Sequence, residues 1–194
     1  MSTVAKERYT VEDYFEIEAR TEYKNEYYQG EILAMAGATI AHNDIVANLI
    51  IAFGERLRGS PCRVMPSDTR IKCSTDLYTY SDALIVCGER EIVRYKNLET
   101  LLNPRVIFEV LSESTESYDR GKKFEHYQTI PSFQEYVLVA QDRPHADHFV
   151  RQSDDSWRLK MFDGLESTLR LASVDCELPL RAIFEGVELV APAP

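Results

Sequence analysis

Val106-Ile107-Phe108-Glu109-Val110-Leu111 is a short apolar run with a carboxylate set into it. Its length, its β-branched and bulky residues and its flanks, Asn103-Pro104 before and Ser112 to Thr115 after, predict a buried strand. Asp82 is placed similarly just before Ala83-Leu84-Ile85-Val86, a second such run closed by Cys87-Gly88. Burying one unpaired carboxylate costs several kcal/mol, so two acids at strand positions predict a cation shared between them. Taken one at a time, the plainer reading is the stronger: Asp82 caps a strand start, and Glu109 faces solvent or pairs with an arginine.

Far upstream of these runs, Thr10 reads as the N-cap of a short helix with Glu12 and Asp13 in its first turn. A strand is predicted from Tyr28 to Met35. The clearest helix follows, with Ile45, Leu49, Ile50, Phe53 and Leu57 at helical spacing and Gly59-Ser60-Pro61 ending it. Strands are predicted at about 63–73, 81–86 and 105–111, with a polar, helix-prone stretch before the last. A second helix is predicted over about 119–129, its apolar side carrying Phe124, Tyr127 and Ile130, and Pro131 stops it. Then come a strand at 135–140, a hairpin of 148–151 with 157–162, a strand at 168–171 and a short helix after Pro179. This order predicts an α+β fold with one sheet and helices packed on it.

A chain of 194 residues suits one domain, spanning 1–194, that buries roughly 70% of its unfolded surface. Its 44% hydrophobic and 28% charged residues are ordinary for a soluble globular protein. Cys62, Cys73, Cys87 and Cys176 form no CxxC pair, which argues against a zinc ribbon or a disulfide framework and predicts reduced thiols. No signal-peptide core and no membrane-length apolar stretch is present, so a cytoplasmic location away from membranes is expected. A net charge of -10 gives no global pull toward nucleic acid, so any such binding must rest on a local basic face.

The order helix, three strands, helix, strand, with an acid on each of the second and third strands, resembles the PD-(D/E)XK nuclease superfamily. More closely, five runs resemble the Uma2 family, also called DUF820: Tyr28-Gln29-Gly30-Glu31-Ile32, Tyr80-Ser81-Asp82, Phe108-Glu109-Val110-Leu111-Ser112, Asp119-Arg120-Gly121-Lys122-Lys123-Phe124-Glu125-His126-Tyr127 and Pro131-Ser132-Phe133-Gln134-Glu135-Tyr136. The resemblance implies a restriction-endonuclease-like α-β-β-β-α-β core, a mixed sheet flanked by helices, with an extra C-terminal β-hairpin. It also implies a metal-dependent endonuclease acting on nucleic acid, DNA in particular. Double-strand cleavage would be easiest to explain with a symmetric homodimer.

Phosphodiester hydrolysis needs an activated water and stabilisation of charge in the transition state, and a divalent ion supplies both. Mg²⁺, or Mn²⁺ in its place, takes hard oxygen ligands, typically one or two carboxylates. Asp82 and Glu109 would provide them, and the resemblance adds the backbone carbonyl of Val110. The superfamily's lysine belongs two residues after the glutamate, where this chain has Leu111. In the Uma2 family the lysine is displaced onto the following helix, and Lys123 occupies that place, sharing a face with Asp119 and Tyr127. On the helix alone, Lys123 reads as an exposed i,i+4 pair with Asp119 worth about 0.3 to 0.5 kcal/mol; the strand acids and the resemblance reverse that preference.

Lys122 lies about 100° round the helix and is the weaker catalytic candidate; it and Arg120 would contact phosphates. Glu31 matches a family glutamate and would ligate metal or orient a water, although an outward-facing surface strand residue is an equal reading. His42 also resembles a family position near the substrate phosphate or the metal's waters, yet capping or packing comes first for it. Tyr127 would line the cleft. His145-Ala146-Asp147-His148 reads as a turn. The competing function is a catalytically inactive binding or assembly protein on the same fold, fed by Leu111, by Ser81 where the motif has proline, and by the acidic charge.

Overall fold

The computed structural model describes residues 8–35 and 37–189. Helix α1 (Val11–Glu18) starts at a capping box in which the Asp13 amide donates to the Thr10 hydroxyl and the Thr10 amide to the Asp13 carboxylate. Strands β1 (Asn25–Tyr28) and β2 (Glu31–Ala34) form a hairpin in place of the single strand expected from Tyr28. Its two-residue turn is Gln29-Gly30, with φ of 48° and 88°, the left-handed pair that matches strand twist.

Helix α2 (Ile40–Arg56) is capped by Thr39, whose hydroxyl accepts from the His42 amide, and it buries Ile45, Leu49, Ala52 and Phe53. The predicted strand over 63–73 is two strands, β3 (Cys62–Pro66) and β4 (Arg70–Lys72), because the chain turns at Ser67-Asp68 and changes sheet. It changes back between β5 (Tyr78–Tyr80) and β6 (Ala83–Cys87), so Ser81-Asp82 is a corner between sheets rather than part of a strand. The stretch before the next strand, read as helix-prone, is the hairpin β7 (Ile92–Tyr95) and β8 (Leu98–Leu101), turning at Lys96 with a φ of 54°.

Strand β9 (Val106–Leu111) is buried along its whole length. A helical segment crosses over from it as α3 (Glu116–Tyr118), a π-helical turn (Asp119–Lys123) and α4 (Phe124–Tyr127). It delivers the chain to β10 (Glu135–Ala140), parallel to β9, as a parallel pair requires. The hairpin β11 (His145–Arg151) and β12 (Trp157–Asp163) extends the sheet. His145 to His148, read as a turn, opens β11. Strands β13 (Thr168–Leu171) and β14 (Cys176–Pro179) and helix α5 (Leu180–Ile183) follow.

Two six-stranded sheets result instead of the expected one, ordered β2-β1-β5-β4-β8-β7 and β12-β11-β10-β9-β6-β3, with β13-β14 as a small third sheet. The β9-bearing sheet is covered on both faces. On one, Phe108, Val110, Val137 and Val139 pack with α2, α5 and the small sheet; on the other, Ile107, Leu84 and Tyr136 pack with Tyr127, Phe133 and Ile71. Burial on two sides explains why β9 reads as a continuous apolar run. A third cluster of Tyr14, Phe15, Tyr27 and Tyr78 fixes α1 to the other sheet.

Two cysteines correct the expectation of free thiols. Cys62 and Cys87 are direct cross-strand partners of β3 and β6 and are joined by a disulfide, while Cys73 and Cys176 are buried and free. Among the described residues no helix is long and apolar enough to cross a membrane.

Candidate active site

The register of β6 on β9 pairs Ala83 with Phe108, so the next position sets Asp82 opposite Glu109. Opposed residues in an antiparallel pair share a face. Glu109 lies on the face of Ile107 and Leu84, toward the crossover helix, and is 3% exposed. At the sheet-changing corner, Asp82 has no β partner to constrain its side chain. One carboxylate oxygen, Oδ2, accepts from the Val110 amide at 2.7 Å, and Oδ1 lies 3.0 Å from His42 Nε2. A carboxylate only accepts, so the hydrogen in that contact is on Nε2.

Glu109 meets two groups from the crossover segment, both on Oε1. Lys123 Nζ lies 2.9 Å away and the Tyr127 hydroxyl donates at 2.8 Å. Lys123 is 5% exposed and also lies 3.5 Å from Asp119 and 3.9 Å from Glu26. Its pair with Asp119 is therefore not the solvated surface bridge that the helix alone suggested. Asp119, in turn, is anchored through its backbone, whose carbonyl accepts from the Tyr136 hydroxyl. The π-helical turn starting at Asp119 is a form found frequently at functional sites.

Glu26 is the acid that sequence reading missed. It is buried on β1, where its carboxylate accepts from Thr79, and from Tyr118 at 3.1 Å. The signal was the one that marked Glu109, an acid flanked by residues of a buried strand, but it was hidden by misplacing the hairpin turn.

Three carboxylates thus lie within 3.9 Å of one buried ammonium, and the charge of Asp82 also acts on it. Burial, helped by the charges of Asp119 and Asp82, pushes Glu109 well above the usual carboxylate range, against the opposing pull of Lys123. Burial also raises Asp119. For Lys123 burial works downward, but Glu109, Asp119, Glu26 and Asp82 outweigh it and hold the ammonium protonated. Burial holds the Tyr127 hydroxyl protonated, as a donor to Glu109.

These groups lie at the floor of an open cleft of about 830 Å³. Among the predicted residues, the structure brings Asp82, Glu109, Val110, Lys123 and His42 to its lining; Tyr127, expected to line the cleft, is instead fully buried and reaches the site only through its hydroxyl on Glu109. It does not bring the other three. Glu31 is exposed on β2, outside the lining, and the hairpin's acid on the cleft is Glu26. Lys122 is exposed and off the lining. Arg120 is held by Asp147 at 2.6 Å and Glu116 at 2.7 Å. Asp147 belongs to the run read as a turn, where His145 bridges it to Asp163. Among the described residues no group of three or more His, Cys, Asp or Glu side chains gathers in metal-holding geometry.

A family model named Uma2 and described as "Putative restriction endonuclease" matches residues 11–181. The chain is 32% identical over 177 residues to "Uncharacterized protein slr1290" of Synechocystis sp., covering 91% of each chain. It is 31% identical over 156 residues to "Uncharacterized protein sll1609" of the same organism, covering 80% of this chain and 88% of the other. Among solved structures it is similar to one titled as a putative nuclease belonging to DUF820 from Anabaena variabilis. There the TM-score is 0.72 at 18% identity, over 91% of this chain and 97% of that one. At that identity the likeness bears on the fold, and it agrees with the mixed α+β architecture.

Proposed function

The chain belongs to the Uma2 family, and from that premise we propose that it is a divalent-metal-dependent endonuclease that hydrolyses phosphodiester bonds of nucleic acid, DNA in the first instance. The family match supports a nuclease-like function. The observation that carries the finer reading is Lys123 Nζ at 2.9 Å from Glu109, with Asp82 held against the amide of the next residue, Val110, at 2.7 Å. A lysine missing at Leu111 is supplied from the crossover helix to the carboxylate it would have accompanied.

The donor set fits Mg²⁺ or Mn²⁺. Asp82 and Glu109 offer hard oxygens, the Val110 carbonyl adds a third, and four carboxylates, Glu109, Asp119, Glu26 and Asp82, act on Lys123. Two carboxylates and a carbonyl are fewer than three side-chain ligands, in keeping with an ion that retains several waters. When bound, such an ion supplies an acidified water and positive charge beside the transferring phosphoryl group.

The chain's own residues do the rest. His42 and the Val110 amide fix the two oxygens of Asp82, and Tyr127 fixes Glu109. The ammonium of Lys123 stabilises charge on the phosphate as a water oxygen bonds to phosphorus, giving up one proton to solvent, and one ester P–O bond breaks, the leaving oxygen taking a proton from solvent. Lys122 is free to meet a phosphate further along the strand, whereas Arg120 would first have to leave Asp147 or Glu116. The domain spanning 1–194 would work in the cytoplasm.

The test is cleavage of single-stranded, double-stranded and branched DNA and of RNA with Mn²⁺, comparing wild type with Lys123→Ala. The expected result is cleavage of at least one substrate and loss of about 10²-fold or more in the variant. Equal activity in both removes Lys123 from the mechanism. A folded wild type that cuts nothing favours the inactive binding or assembly protein.

A further inference from the structure

Part of the cleft wall is apolar and exposed, an unusual surface for a site that must meet phosphates. Tyr23 is 74% exposed and Leu33 54% exposed, and both line the cleft together with Met35. Register ties this wall to the acidic floor, because Leu33 is the direct cross-strand partner of Glu26 and so shares its face. Ser112, Ser114 and Thr115 add hydroxyl-bearing residues to the lining.

Basic groups that could track a phosphate backbone are scarce. The lysines on the described lining are Lys123, packed among carboxylates, and Lys24, whose ammonium bonds the Ser67 carbonyl at 3.0 Å and Asp68 at 2.8 Å. Duplex binding draws most of its affinity from many phosphate contacts, and this cleft does not offer them. Stacking on an exposed ring beside an aliphatic platform draws on the faces of bases instead, which paired bases keep inside the helix. The volume of about 830 Å³ is of the size that encloses small ligands.

Resting on the nuclease reading above, we propose that the substrate strand is unpaired where it enters the cleft, with a base stacked on Tyr23 and its neighbour against Leu33 and Met35, while its phosphate reaches Asp82, Glu109 and Lys123. Tyr23 and Leu33 are then specificity residues that select single-stranded nucleic acid or a single-stranded flap. One active site suffices for each cut, so the homodimer expected for double-strand cleavage is not required.

The test is equilibrium binding, by fluorescence anisotropy, of a fluorescein-labelled mixed-sequence single-stranded oligodeoxynucleotide and of its duplex to the full chain. Ca²⁺ replaces Mn²⁺ so that binding is read without cleavage. Wild type should bind the single strand at least tenfold more tightly than the duplex. Tyr23→Ala should weaken single-strand binding by about 5- to 150-fold, and Tyr23→Phe should retain it. The exposure of Tyr23 makes misfolding of these variants a minor risk, and circular dichroism checks it.

Duplex binding as tight as single-strand binding, no binding of either, or an unchanged single-strand affinity in Tyr23→Ala overturns the inference. Cleavage with Mn²⁺, run in parallel, separates it from the nuclease reading. Selective single-strand binding without cleavage supports the inference and counts against the nuclease. Cleavage without single-strand preference does the reverse.

Discussion

Replacing Lys123 with methionine keeps the length of the side chain and removes the one ammonium among Glu109, Asp119 and Glu26, which lie 2.9, 3.5 and 3.9 Å from it. Glu109 and Asp119 are each 3% exposed, so water cannot take over the lost partner's role. Breaking a buried ion pair on one side costs about 3–5 kcal/mol, whereas an exposed i,i+4 pair is worth about 0.3–0.5 kcal/mol. The structure therefore predicts that Lys123→Met lowers the unfolding free energy by about 3–5 kcal/mol, a large share of a typical domain's 5–15 kcal/mol. Urea denaturation followed by circular dichroism reads the loss as a shifted midpoint at constant slope. Adding Glu109→Gln should recover part of it, because the uncompensated charge goes with the lysine. A loss under about 1 kcal/mol for Lys123→Met, with no coupling to Glu109, would refute the buried cluster.

Other parts of the fold give separate tests. The disulfide between Cys62 and Cys87 closes a loop of sequence separation 25, for which chain entropy gives about 3.5 kcal/mol; the double variant Cys62→Ala/Cys87→Ala should unfold at lower urea, and an unchanged midpoint would contradict the bridge. Tyr80, which donates to Glu18 at 2.7 Å and accepts from Arg70 at 2.9 Å, is pushed up to about 12, chiefly by burial. A raised folded-state value means stability intact below pH about 10, where the free phenol titrates, and lost as pH rises from there to about 12. Wild type should thus lose more stability over that window than Tyr80→Phe, and parallel curves would contradict the assignment.

The parts of the site legible in the sequence were those whose signal is local. Glu109 stood out because a charge in a strand buried on both faces breaks an otherwise apolar run, and Lys123, Asp119 and Tyr127 could be grouped by helical spacing, which the π-helical turn does not scatter. Asp82 was legible as a residue, but its position at a corner was not, because nothing local says that β5 and β6 belong to different sheets. Glu26 was lost to a turn: with Gln29-Gly30 taken as strand, β1 disappeared and attention passed to Glu31. The β7-β8 hairpin was hidden by its charged, solvent-facing Arg94, Lys96 and Glu99, whose composition suits a helix as well. The disulfide depends on strand register between distant segments, which cysteine spacing does not encode. The exposure of Tyr23 and Leu33, likewise, is a property of the assembled cleft.

Calorimetric titration of the metal-stripped protein with Mn²⁺ decides whether Asp82 and Glu109 hold a divalent ion. Asp82→Asn preserves shape and the ability to accept from the Val110 amide while removing a charge that acts on Glu109. Wild type is expected to bind Mn²⁺, and Asp82→Asn, folded by circular dichroism, is expected not to. Undiminished binding in Asp82→Asn would contradict that expectation.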